Sequence, residues 1–287
     1  MAWYSQNTRD LPWRRTHDPY AILVSEVMLQ QTQVARVVPR YLAWLERWPT
    51  VEALSAASPA EVITAWSGLG YNRRAVLLHR CAAEVAALGG FPHEPRELER
   101  LPGVGPYTAA AIACFAFGAQ IAAPDTNAKR VLGRAFADSE PAPPPGRAYE
   151  WNQALFDLGR EVCIARTPRC GACPLAAGCP ARGMTYPPLR RQSRFEGSFR
   201  QRRARLLRAI AAAGSLADAD ADAEALVSLV RDGLAEVRDG HARLPGGQVP
   251  GTVADGARHL NHGARQSSRR VTTSVSPASE GSSASGV

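Results

Sequence analysis

Apolar residues recur at spacings of three and four from Tyr20 to about Ala123, and no strand-like alternation of useful length interrupts them. Ile22, Leu23 and Val27 form one stripe; Val34, Val37, Val38, Tyr41, Leu42 and Leu45 form another. Breaks fall at Pro49, Pro59, Gly68-Leu69-Gly70, Gly89-Gly90, Pro92, Pro95 and Pro102-Gly103. The pattern predicts an all-α domain, with five or six helices over 20–124 joined by short loops. Pro12 and Pro19 punctuate a short helix and a loop ahead of it. Two further helices are expected near 126–137 and 147–163, with the stretch from Pro141 to Gly146 as a stiff connector.

The last third changes character. Arg202 to Ala213 reads as a basic helix, Leu216 to Glu224 is acidic and alanine-rich, and Ala225 to Leu234 reads as another helix. Residues 235–245 alternate around Asp239-Gly240, a hairpin signal. Helices followed by a hairpin predict a small basic, winged-helix-like module over 196–247. Residues 248–287 are rich in Ser, Gly, Thr and Ala and are expected to be a disordered tail.

Composition narrows the classes. The 45% hydrophobic content excludes disorder as the main state. The longest near-continuous apolar run, 109–123, contains Gln120 and falls short of the ~20 residues a membrane span needs. With no apolar signal segment at the N-terminus, a soluble cytoplasmic protein is expected. The net charge of +8 favours a polyanionic partner. Lys129 is the one lysine and every other basic residue is arginine, as a GC-rich genome would produce. Chemistry that needs a lysine amine therefore has one candidate. Eight arginines against the single acid Glu196 lie between Pro187 and Arg208, enough for nonspecific phosphate contacts or for a mere basic linker.

Cys81 and Cys114 sit in apolar helical patterns and read as core residues. The other four form a loop, Cys163-x6-Cys170-x2-Cys173-x5-Cys179. Four thiolates at short spacing imply a metal. Zinc usually takes two C-x2-C pairs, and only one is present; the unequal spacing suits the corners of a [4Fe–4S] cubane. A second motif, Leu101-Pro102-Gly103-Val104-Gly105, precedes a helix. Its glycines allow close backbone approach to a phosphate, and free N–H groups at the helix start point at the anion.

Together the cysteine loop, this hairpin and Asp125 resemble the helix-hairpin-helix DNA glycosylases related to endonuclease III. Within them, residues 3–190 are similar to MutY-type adenine DNA glycosylases. The resemblance is carried by Leu11-Pro12-Trp13-Arg14, Ser25-Glu26-Val27-Met28-Leu29-Gln30-Gln31-Thr32-Gln33-Val34, Gly68-Leu69-Gly70-Tyr71 and Trp151-Asn152-Gln153-Ala154-Leu155. It implies a two-lobed catalytic domain over 1–190, with a six-helix lobe at 20–124 and a cluster lobe from 1–19 and 125–190. It also implies a [4Fe–4S] cluster on Cys163, Cys170, Cys173 and Cys179, and a monomer that hydrolyses the N-glycosidic bond of adenine opposite 8-oxoguanine or guanine in double-stranded DNA.

Such chemistry needs a neutral acid near the base and an ionised carboxylate near the sugar. Glu26 shares a helix face with Ile22, Leu23 and Leu29, and an apolar pocket would keep it protonated. The resemblance makes it the acid that protonates adenine N7. Asp125 reads as a helix N-cap and, by resemblance, as the ionised partner. Tyr107 stands where lyase relatives carry a nucleophilic lysine; a phenol forms no Schiff base, and a hydrogen bond to Asp125 or a water is expected. By resemblance Gln31 and Tyr71 fill and wedge the gap left by the extruded base, Leu69 and Thr32 lie near the opposing base, and Trp13, Arg14 and Gln153 line the adenine pocket. Gly103 and Gly105 bind the DNA backbone.

Two departures stand out. The sequence has Asp125-Thr126-Asn127 where many relatives carry Asp-Gly-Asn, and no NUDIX-like domain follows the cysteine loop. The latter leaves selectivity for 8-oxoguanine open. Two other functions compete: a thymine or uracil mismatch glycosylase on the same scaffold, and a non-enzymatic iron–sulfur DNA sensor, which would need neither Glu26 nor Asp125.

Overall fold

The computed structural model describes residues 1–137, 141–187 and 193–247. The expected tail at 248–287, and Arg190 and Arg191 of the basic stretch, lie outside the described residues. Twelve α-helices and three short strands occur among them. The order is α1 (Ala2–Asn7), α2 (Pro19–Leu29), α3 (Val34–Arg47), α4 (Val51–Ser55), α5 (Pro59–Ala65), α6 (Arg73–Leu88), α7 (Pro95–Leu98), α8 (Pro106–Phe117), α9 (Thr126–Phe136), α10 (Ala148–Glu161) and α11 (Phe199–Ala213). Then follow β1 (Ser215–Ala217), α12 (Ala223–Arg231), β2 (Glu236–Arg238) and β3 (His241–Arg243). The span expected to hold six helices holds seven, because α4 and α7 have only five and four residues, too few to show a period.

The larger core is built around α2 and α8. Residues 20–28 of α2 are all buried, as are Thr108, Ala109 and 111–115 of α8. A helix buried on every side has no polar face to show, which explains why both read as continuous apolar runs. Asp18 starts α2 by accepting from the amides of Tyr20 (3.0 Å) and Ala21 (3.3 Å), with Pro19 in the first helical position. Tyr41, Trp44, Trp66, Leu78 and Val85 close this core from α3, α5's end and α6. A second, smaller core joins α9 and α10 through Ala128, Val131, Leu155, Leu158 and Val162, with Trp3 of α1 against it. Leu11 and Trp13 belong to the larger core, so the N-terminal segment expected in the cluster lobe is shared between the two.

The C-terminal module places α11 and α12 against an antiparallel sheet of order β1-β3-β2. The expected hairpin is present, with Val237 opposite Ala242; Asp239 and Gly240 supply the two positive φ angles its turn requires. The strand β1 carries no sequence signal at three residues. The module's core, with Leu207, Ile210, Leu229 and Leu234, includes Ile63 of α5 and packs on Ala60 and Val76, so it is seated on the helical domain. Arg202 pairs with Asp222 (3.2 Å) and Glu224, and Arg203 with Asp232 (2.6 Å) and Ser228 (2.8 Å). Arg203 is thus turned into the module, whereas Arg202 pairs with its acids on the exposed surface.

Candidate active site

Glu26 lies in the last turn of α2 and is 7% exposed. Desolvation is the main force on its carboxyl and pushes the pKa up to about 7; the negative charge of Asp125 adds to this, and a hydrogen bond from Tyr107 opposes it. That bond runs from the Tyr107 hydroxyl to Glu26 Oε2 at 2.8 Å. The expectation that Tyr107 would bond Asp125 or a water is corrected here. Tyr107 stands on the second residue of α8, which packs beside α2, so the phenol reaches the nearer carboxyl.

Asp125 is held in the opposite way. It caps α9, with Oδ1 accepting from the Ala128 amide at 2.6 Å and Oδ2 from Asn127 Nδ2 at 3.0 Å. Donors at a helix N-terminus favour the anion. Asp125 is thus the helix N-cap that the sequence suggests. Behind it, Arg130 donates to Asn127 Oδ1 (3.1 Å), to the Gly159 carbonyl (2.6 Å) and to the Cys163 carbonyl (2.8 Å). A continuous chain of hydrogen bonds therefore joins Asp125 to the first cysteine of the loop. A Cβ on Gly159 would meet Asn127 Cβ at 2.9 Å, so only glycine lets α10 approach α9 this closely.

Both carboxylates open into one cleft of about 950 Å³, also lined by Trp13, Arg14, Gln31, Thr32, Tyr107, Lys129 and Gln153. Trp13 is nearly buried and meets the Tyr41 ring edge-on at 5.4 Å. Arg14 is committed to Asp157 through two bonds of 2.8 and 2.9 Å. Gly103 and Gly105 do not line the cleft; they form the hairpin turn before α8. Gly103 has φ +77°, and a Cβ there would meet Leu77 Cβ at 2.8 Å, which no side chain tolerates. Leu69 is buried at 3% and does not line the cleft; its carbonyl accepts from Thr32 Oγ1 at 3.4 Å. Tyr71 is exposed on the same turn.

Three residues at this site carried no weight in the sequence. Asn152, fully buried, accepts from the Ala123 amide at 2.7 Å and donates to the Ile121 carbonyl at 3.0 Å, fixing the strand of chain that delivers Asp125. Its signal was a polar residue inside an apolar helical stripe. Asp157 and Arg74 are likewise buried, and a single charged residue gives no local sign of that in the sequence.

Cys163, Cys170, Cys173 and Cys179 line one largely apolar cavity with Val131, Val162, Leu175 and Arg134, and all four are free thiols. Four cysteines around one cavity, at the spacing of the loop, fit a cluster with a separate iron at each corner. Arg134 closes one side, donating to the carbonyls of Ile164 (2.8 Å) and Ala165 (2.6 Å), with its guanidinium 3.5 Å over the Tyr186 ring.

This fold and loop define a class of base excision repair protein. Residues 24–150 match the HhH-GPD superfamily of base excision DNA repair proteins, and residues 163–179 match the iron–sulfur binding domain of endonuclease III. The chain is 43% identical over 278 residues to the adenine DNA glycosylase of Mycolicibacterium smegmatis, covering 86% of this chain and 94% of that protein. It is 42% identical over 211 residues to the human adenine DNA glycosylase, covering 63% of this chain and 38% of that one. Among solved structures, a thermostable thymine-DNA glycosylase superposes with a TM-score of 0.59 at 30% identity, over 62% of this chain and 91% of that one. The chain belongs to the adenine DNA glycosylase family, and its cysteine loop is an iron–sulfur binding domain. No helix among the described residues is long and apolar enough to cross a membrane.

Proposed function

We propose that this protein, as a monomer, hydrolyses the N-glycosidic bond of adenine mispaired with 8-oxoguanine or guanine in double-stranded DNA. The observation that carries the reading is the buried Glu26 carboxyl, about half protonated near pH 7, in one cleft with the helix-capping Asp125. Glu26 gives its proton to N7 of an extruded adenine, making the base a neutral leaving group. The departing bond leaves positive charge on the sugar, and the carboxylate of Asp125, positioned by its capping donors, stabilises it. Water then adds at C1′ and releases its proton to solvent or to the Glu26 carboxylate, which restores the acid. Tyr107 orients Glu26 through its hydrogen bond and offers no amine, so the abasic strand remains intact. Cys163, Cys170, Cys173 and Cys179 would hold the [4Fe–4S] cluster, which when bound cross-links the loop that Arg130 ties to the helix of Asp125.

Single-turnover assays on duplexes with A opposite 8-oxoguanine, G or T, and with T or U opposite G, test this directly. Adenine release from the first two with an unbroken strand is expected. Release of thymine or uracil, with adenine untouched, would move the protein to a different substrate class.

A further inference from the structure

Arg74 begins α6 and is 8% exposed, yet no carboxylate pairs with it among the described residues. Its donors go to backbone. Nη1 reaches the carbonyls of Val27 (2.6 Å), Met28 (3.1 Å) and Gln30 (2.7 Å), and Nη2 reaches the Gly70 carbonyl (3.0 Å) and Thr32 Oγ1 (3.2 Å). The guanidinium also sits 5.2 Å from the Trp66 ring and 5.6 Å from the Tyr71 ring. The acceptors belong to two turns far apart in sequence. One is the end of α2, whose last carbonyls are the negative pole of that helix; the other is Gly68–Tyr71. Each turn carries at its tip a non-glycine residue with positive φ, Gln31 at +56° and Tyr71 at +47°, and both are exposed. Bulky residues rarely adopt this backbone unless the surroundings impose it, and such strain clusters at functional sites.

We propose that Arg74 is a positioning residue that locks the two turns into one rigid two-pronged edge, so that Gln31 and Tyr71 enter the duplex together as the base is drawn toward Glu26. The proposal rests on the glycosylase reading, since only an enzyme that extrudes a base needs its gap filled. Gln31 lines the cleft that holds Glu26, and Arg74 couples Tyr71 to it. A planar fork with five donors spans both turns; a lysine ammonium, a point donor on a flexible stem, reaches one or the other.

The test uses full-length, cluster-loaded protein and a duplex in which 2-aminopurine beside the target adenine brightens when that base leaves the stack. Wild-type protein and Glu26→Gln are expected to brighten the probe alike, because Glu26 acts after extrusion. Arg74→Lys is expected to lose brightening and to slow adenine release by about tenfold or more, while its affinity for fully paired duplex stays within about twofold. A merely structural role would lower thermal stability and paired-duplex affinity together, and would leave the brightening of the folded fraction unchanged. Trp66→Phe, which removes the indole N–H donated to the Gly70 carbonyl at 3.1 Å and leaves a smaller ring beside the Arg74 guanidinium, gives a second variant with partial loss. Normal brightening in Arg74→Lys, or in Trp66→Phe if the lysine variant does not fold, overturns the assignment. Wild-type protein that brightens the probe but releases no adenine would instead overturn the glycosylase reading, and wild-type protein that does neither would overturn both.

Discussion

Glu26 and Asp125 face one cleft from two regions built on opposite principles. Glu26 sits in the last turn of α2, a helix with no polar side, and its charged form is penalised by burial. Asp125 is half-buried at the start of α9, with a hydrogen-bond donor on each oxygen. Burial raises the pKa of Glu26 toward neutrality, and the negative charge of Asp125 raises it further. Enclosure between packed helices against capping at a helix start is what sets the two carboxyls apart.

The strongest way to break this comparison is to remove each carboxyl in turn. Glu26→Gln keeps the shape but cannot deliver a proton, and adenine release should fall on the order of 10³-fold or more while damaged-duplex binding persists. Asp125→Asn keeps a helix cap and loses the charge, and should cost on the order of 10²-fold in single-turnover rate. Rates for Glu26→Gln within threefold of wild type would refute the acid.

Next in size is the support behind Asp125. Purified protein should carry about four irons per chain, and Cys173→Ser should lose the cluster and much of the soluble protein. Metal analysis that found one zinc and no iron would contradict the cluster.

The two sites should also differ in stability. The Glu26 pKa is raised on folding, so its favourable contribution is complete below about pH 4.5 and is lost as pH rises through about 7. Glu26→Gln should therefore stabilise the fold at pH 8, on the order of 1–2 kcal/mol, and do little at pH 4. Asp125→Ala should instead destabilise by about 1 kcal/mol through the lost cap. Thermal melts at the two pH values separate these signs.

The smallest effect concerns Lys129, which lines the cleft one helical turn beyond Asp125. Lys129→Arg should leave adenine release unchanged and abolish any slow borohydride-trapped adduct with the abasic product. Nicking as fast as base release in wild type would place the protein among the lyases.

The sequence made Glu26 and the cysteine loop legible because each is a local pattern: a carboxyl among apolar neighbours at three and four spacing, and four thiols within 17 residues. It did not show that α2 is buried on all sides, since that depends on α8 packing against it. Arg74 was illegible for a related reason. Beside Arg73 at a helix start it looks like a solvated pair, and its partners are turns brought together only by tertiary folding. Arg203 of the basic helix was illegible for the same reason: it looks outward-facing until the end of α12 brings Ser228 and Asp232 against it.

The pH dependence of single-turnover adenine release addresses the division of roles most directly. With Glu26 as the acid, the rate should decline above about pH 7, by about tenfold per unit, as the carboxyl ionises. Because the Tyr107 hydrogen bond holds that pKa down, Tyr107→Phe should move the decline to higher pH. A rate that climbs through pH 7, or a decline that stays in place in Tyr107→Phe, would contradict the assignment of Glu26 as the proton donor.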